Sequence, residues 1–232
     1  MAIRRKQEKK SEETLLDLNQ ARLQANNFFE KNQKAVIGVV AGLVVVVGGW
    51  FVYKNLIQQP KEEKAISQMW MAQFQFEQDS FQVALENPGG GHSGFLAIIK
   101  DFGGTNAGNL ANYYAGICYL NLGNFDAALS FLNDFNPDGS VGPTMKYGAL
   151  GDAYSELNQM DKAKEAYTKA AGASDNELLT PYYMKKLALL HESQTEYAKA
   201  LEIYRKIKSK YPNSNESLSI DKYIARAEAT TK

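Results

Sequence analysis

Apolar positions along the chain follow two different patterns. From Ala35 to Tyr53 the stretch AVIGVVAGLVVVVGGWFVY holds no charged residue and is framed by Lys34 and Lys54. As a helix, a run of this length rises about 28 Å, close to the roughly 30 Å hydrocarbon thickness of a bilayer. Beyond it, apolar residues recur at helical spacing. Together these patterns predict an all-α chain, with one N-terminal transmembrane helix followed by a stacked α-solenoid. A further helix is expected before the span, where Leu18, Ala21, Ala25 and Phe28 recur on one face. Ser11 is its expected cap, with Glu12 and Glu13 in its first turn. Such a helix lies on the inner membrane surface, against a partner, or free in solvent.

The apolar run reads as an uncleaved anchor. A cleaved signal peptide has a short charged head and a small-residue cleavage site, whereas this head runs through residue 34 and the span ends in Trp50, Phe51 and Tyr53. Aromatic residues of that kind suit a membrane interface. Lys and Arg outnumber Asp and Glu eight to five in residues 1–34, which favours a cytoplasmic N-terminus and a large domain on the far side. Ala35, Gly38, Gly42 and Gly49 make a stripe of small residues, with Gly38 and Gly42 spelling G-x-x-x-G. Gly38, Gly42 and Gly49 are therefore the expected contact with another membrane helix.

In the solenoid region, AGICYLNLGNFDAALSFL and GDAYSELNQMDKAKEAY share a frame. Gly116 and Gly151, Tyr119 and Tyr154, and Ala128 and Ala163 correspond at a spacing of 35, and Ala188, His191 and Ala200 repeat it 37 residues later. Helical pairs with small residues at two fixed points and a period near 34 resemble tetratricopeptide repeats, here from about Ser67 to Pro212. Bulk at the small positions would force paired helices apart. In a degenerate first copy, Ala72, Phe81 and Ala84 take the places of Gly116, Phe125 and Ala128, and Gln75 falls over Tyr119. Its second helix is expected to be broken by an insertion, Asn87–Ser93. The expected organisation is a cytoplasmic segment (1–34), span (35–53), linker or helix extension (54–66), repeat domain (67–212) and capping helix (213–232).

Composition argues against several chemistries. Net charge is zero, and residues 55–232 carry more acidic than basic residues, so nucleic acid has no basic stripe to bind. Gly89, Gly91 and Gly94 spell G-x-G-x-x-G, but a helix rather than a strand is expected before them and no acidic residue follows near Tyr114. One cysteine and two histidines leave no multi-thiolate or multi-histidine metal site. His191 holds a packing position of the frame. No catalytic, cofactor-binding or metal-binding residue is expected, and the chain reads as a non-enzyme.

In tetratricopeptide arrays the first helix of each pair lines a concave face. The frame puts Tyr113, Ile117 and Leu120 there in one repeat, Asp152 and Glu156 in the next, and Tyr182, Lys185 and Leu189 in the third. The expected groove is apolar and aromatic with an acidic middle, suited to an extended or helical protein segment. The bland alternative is that these residues only pack between repeats. Relatives that bind chaperone tails use asparagines and lysines where this chain has Tyr114, Ile117 and Asn121.

The layout resembles the YfgM-like ancillary subunits of the Sec translocon, in the versions found in Bacteroidota. FFEKNQKAVIGVV, GNLANYYAGICYLNLGNFDAALSFL and GDAYSELNQMDKAKEAYTKAA carry that resemblance. It implies an inner-membrane protein with a periplasmic domain. The implied partners are the SecYEG translocon, a PpiD-like membrane chaperone and translocating client proteins. A structural adaptor for another envelope assembly, such as a secretion or gliding machine, is the alternative.

Overall fold

The computed structural model describes the backbone of residues 2–231 and the side chains of residues 22–26 and 28–230. The described residues are helical with no strand, and the chain divides into two units between Gln59 and Pro60. In the first unit α1 spans Ala2–Tyr53 and is interrupted at Asn32 (φ −117°, ψ 20°). The Asn32 side-chain amide donates to the Phe28 carbonyl at 3.0 Å, competing with the helical ladder just before the apolar run. Since α1 begins at Ala2, Ser11 lies inside the helix and does not cap it. Leu18 and Ala21 of the expected amphipathic face lie outside the described side chains, while Ala25 and Phe28 are exposed. The helical stretch Phe28–Glu77 contains a segment long and apolar enough to cross a membrane, a property it shares with signal sequences.

A π-helical turn, Lys54–Gln58, follows α1, with Gln59 N–H donating to the Lys54 carbonyl. Pro60 accounts for it. Proline has no N–H to donate to Leu56, and its ring crowds that carbonyl, so a wider turn relieves the clash.

The second unit is a stack of helices: α2 (Gln59–Glu77), α3 (Phe81–Glu86), α4 (Phe95–Phe102), α5 (Asn106–Asn121), α6 (Phe125–Asp134), α7 (Gly142–Glu156), α8 (Met160–Ala173), α9 (Leu179–Ser193), α10 (Tyr197–Lys210) and α11 (Ile220–Thr231). From α4 to α11 each helix packs on the next, and short connections make neighbours antiparallel. The small residues of the frame lie at the helix crossings. A methyl group on Gly116 would come within 2.6 Å of Leu132 Cγ in α6, and one on Gly151 within 2.5 Å of the Tyr167 ring in α8. In the third pair Ala188 and Tyr204 share one buried cluster. Ala84, Ala128, Ala163 and Ala200 are fully buried, so the second small position is equally closed.

The turn inside each pair is built the same way four times. Asp79, Gly123, Asn158 and Thr195 each adopt positive φ, between 54° and 75°. The next residue closes the turn onto the frame's aromatic position: Ser80 onto Gln75, Asn124 onto Tyr119, Gln159 onto Tyr154 and Glu196 onto His191. This six-residue closure satisfies carbonyls that the helix end leaves open. It also fixes the first copy's register, with Gln75 equivalent to Tyr119. In that copy α3 and α4 form a second helix broken at residues 87–94, where Gly89, Gly90 and Gly91 all have positive φ.

Capping holds both ends of the stack. Glu62 accepts from the N–H groups of Asn106 and Ala107 at 2.7 and 2.8 Å, while Thr105 accepts from Gly108 at 2.9 Å. The opening donors of α5 are thus met by α2 and by its own N-cap. At the other end α11 buries Ile220 and Ala227, and leaves Asp221, Lys222, Ala225, Arg226 and Ala229 exposed.

Candidate protein-binding groove

Between α5, α7 and α9 lies an open cavity of about 590 Å³. Ile117, Leu120 and Phe125 give it an apolar wall. Asn121, Asp152, Ser155 and Glu156 give it a polar wall, and Tyr167 and Lys186 close the floor. The repeat frame explains the arrangement, because Ile117 and Asp152 are frame equivalents on successive first helices.

Asp152 organises the floor. Its Oδ1 accepts from the Tyr167 hydroxyl at 2.6 Å and from Lys186 Nζ at 2.6 Å. Burial alone would lower the Lys186 pKa, but its hydrogen bond and ion pair with Asp152 outweigh that and raise it. Burial, reinforced by Asp152, keeps the Tyr167 phenol well above its usual range. The Asp152 charge is therefore matched within the protein. Glu156 is exposed and makes no ion pair among the described residues, so it supplies the acidic character of the groove.

Four of the sequence-derived groove residues, Ile117, Leu120, Asp152 and Glu156, meet in this cavity. Tyr113 sits against Phe135 (5.4 Å between rings) and lines a neighbouring cleft of about 250 Å³. Its pKa is pushed up to about 12, first by burial and then by Tyr114 and Asp152. Tyr182 is 41% exposed and lies under Lys186, 5.2 Å from ammonium to ring. Lys185 does not join the cavity; its ammonium lies 5.0 Å from the Tyr223 ring of α11. Leu189 is 37% exposed and does not line the cavity. Lys186, Phe125 and Tyr167 were missed by the frame. Lys186 enters because its four-carbon stem reaches back towards α7, which residue spacing on α9 alone does not reveal.

Other groups of chemical interest are engaged in packing. Cys118 is fully buried, and burial pushes its thiol up to about 12, which withholds the nucleophilic thiolate. His191 Nδ1 lies 2.6 Å from Glu196 Oε2, tying the end of α9 to the start of α10. A methyl group added at Gly38, Gly42 or Gly49 would meet nothing within 4 Å, so their small stripe is open along α1.

Two family models of the tetratricopeptide repeat match the chain, one at residues 147–177 and the other at residues 110–136 and 186–214. These segments are the α5–α6, α7–α8 and α9–α10 pairs. A kinesin light chain-like protein of nearly identical tetratricopeptide-like repeats from Podospora anserina superposes with a TM-score of 0.58 at 16% identity, covering 75% of this chain and 89% of that one. At that identity the likeness concerns the fold alone. The structure of MamA is similar at a TM-score of 0.42 and 19% identity, over 59% of this chain and 88% of that one. No curated protein matches the sequence. The fold is a tetratricopeptide-repeat α-solenoid, a class of protein–protein interaction scaffold that is in general non-enzymatic.

Proposed function

We propose that this chain is a membrane-anchored scaffold whose groove captures segments of other proteins. Residues 35–53 act as a single span, with residues 1–34 in the cytoplasm and the repeat domain in the periplasm of a bacterium with two membranes. Residues 54–66 link span and repeats, and 213–232 close the stack. In this reading Gly38, Gly42 and Gly49 meet a partner helix in the bilayer. The protein serves as an ancillary subunit of the Sec translocon. With a PpiD-like chaperone it receives translocated chains beside SecYEG and passes them to periplasmic chaperones.

The observation that carries the reading is the cavity itself. Ile117, Leu120 and Phe125 offer an apolar seat beside the exposed carboxylate of Glu156. An apolar anchor on a partner would enter that seat while a polar or basic neighbour met the acid, the division of labour found in protein interfaces. A photoreactive residue at Leu120, introduced into the full chain in its native membrane, tests it. Adducts with secretory chains in transit, or with the PpiD-like chaperone, support the translocon role. A single stable adduct with one envelope component would replace it with a structural adaptor.

A further inference from the structure

We infer that the groove is one half of a two-seat site for extended segments carrying two apolar residues three positions apart, flanked on the outside by Lys or Arg. This rests on the groove reading above and names the chemistry of the captured segment. The second seat is the neighbouring cleft of about 250 Å³, walled by Leu110, Tyr113, Phe135 and Met145. Its polar edge is already engaged: the Asn109 amide donates to the Asn136 carbonyl at 2.7 Å and accepts from the Asn136 N–H at 2.8 Å.

The repeat frame pairs the two seats. A shift of 35 residues relates Leu110 to Met145 and Ile117 to Asp152, so each seat holds one pair of frame equivalents from α5 and α7. Within each helix the two positions are seven residues apart on one face, a rise of about 10.5 Å. Tyr183 of α9 stands between them. A methyl group on Gly148, midway from Met145 to Asp152, would fall onto the Tyr183 ring. Burial, then Tyr113 and Asp152, raise the Tyr183 phenol above its usual range, so it senses one side chain from each seat.

An acid borders each seat, Asp138 the second and Glu156 the first. Both are exposed, and neither joins an ion pair among the described residues. Along the chain they bracket Met145 and Asp152, one before α7 and one at its end. The nearby cations are engaged elsewhere. Lys186 Nζ donates to Asp152 at 2.6 Å, and Lys146 Nζ donates to the carbonyls of Asn133 and Phe135 at 2.9 and 2.5 Å. Two apolar seats with unmatched acids at their outer ends call for a partner with cationic ends.

The spacing selects an extended partner. In a polyproline II segment, a major form of unfolded chains, residues three apart share a face and lie about 9.3 Å from each other. The two side chains between them then point away from Tyr183. A helix would span the seats with residues seven apart, but its residues at i+3 and i+4 lie on that same face and would meet Tyr183. The captured segment therefore reads basic, apolar, any, any, apolar, basic.

Full-length protein in nanodiscs of zwitterionic lipid is titrated into a fluorescein-labelled, end-capped peptide and read by anisotropy, with empty discs as the blank. At its centre the peptide carries arginine, leucine, two serines, leucine and arginine. Replacing either leucine by serine should weaken binding about tenfold or more, the effect of losing one buried leucine. Met145→Ala should weaken it about fivefold or more. Asp138→Asn and Glu156→Gln alter exposed side chains, so folding is not in question, and each should cost about two- to fivefold. A helical peptide with its leucines seven apart should bind no better than the single-leucine peptide. Equal binding of the one- and two-leucine peptides would overturn the inference, as would tighter binding of the helical one or no binding at all. Indifference to both Met145→Ala and Asp138→Asn would overturn it too; loss on Ile117→Ala with Leu120→Ala would then leave a groove with a single seat. Failure of the groove reading itself is scored separately, by the Leu120 crosslink, which uses no peptide.

Discussion

Gly151 of α7 lies against the ring of Tyr167 in α8, so closely that a methyl group on the glycine would stand 2.5 Å from two ring carbons. Gly116 and Leu132 repeat the relationship one repeat earlier. Glycine at these points sets how near the paired helices come. Gly151→Ala is expected to cost up to about 2 kcal/mol, overpacking of about 1–3 kcal/mol being offset by roughly 1 kcal/mol of helix propensity. Gly172, on α8 with nothing within 4 Å, should respond to the same substitution with a gain of about 0.5–1 kcal/mol. Urea unfolding of both variants checks the opposite signs.

Thr195 adopts a φ of 61° in the turn before α10, where the equivalent positions carry Asp79, Gly123 and Asn158. A β-branched residue in the left-handed region is strained by about 1–2 kcal/mol, and asparagine tolerates that region better. Thr195→Asn should therefore raise the melting temperature, with a gain of about 1 kcal/mol. An unchanged or lower melting temperature would show that the strain is absorbed elsewhere.

Glu196 accepts hydrogen bonds from Lys199 and His191 and faces Lys164, which together hold its pKa down at about 2 instead of the ordinary 4.5. A carboxylate with a depressed folded-state value stabilises the fold above its unfolded pKa. That contribution is lost as pH falls from about 4.5 towards about 2. Glu196→Gln should melt below the unsubstituted protein at neutral pH, with the gap closing across this window. A gap of constant size through the window would mean that the charge of Glu196 is not what matters.

Cys118 is the chain's one cysteine and is fully buried. With its thiol pushed up to about 12, a soluble disulfide reagent should leave the native protein unlabelled. Labelling should appear along the denaturant unfolding curve, and fast stoichiometric labelling of native protein would contradict the packing of α5 against the first repeat.

These interactions differ in how far the sequence discloses them. Gly116, Gly151 and the alanines were legible because a crossing demands a small residue at a fixed offset, whatever surrounds it. The first copy was legible at Ala72 and Ala84, and its broken second helix through the glycines of residues 87–94. Glu62 capping α5 was not, since it joins residues 44 and 45 positions apart and leaves no local pattern. Nor was Lys186 in the groove floor. Frame equivalence identified Ile117 and Asp152, but a long flexible side chain crosses from one repeat to the next, and Lys185 beside it turns to Tyr223.

Capture of a partner by the groove tests the account most directly. Ile117→Ala with Leu120→Ala removes apolar contact from the cavity wall while both residues remain only partly buried in the fold. The pair avoids Tyr113, which lines the neighbouring cleft and not this cavity. Crosslinked partners recovered from solubilised membranes should fall about tenfold or more, as expected for losing a central apolar anchor, while thermal unfolding stays cooperative. Undiminished recovery from a cooperatively folded double variant would contradict the claim that this cavity is where the protein holds its partners.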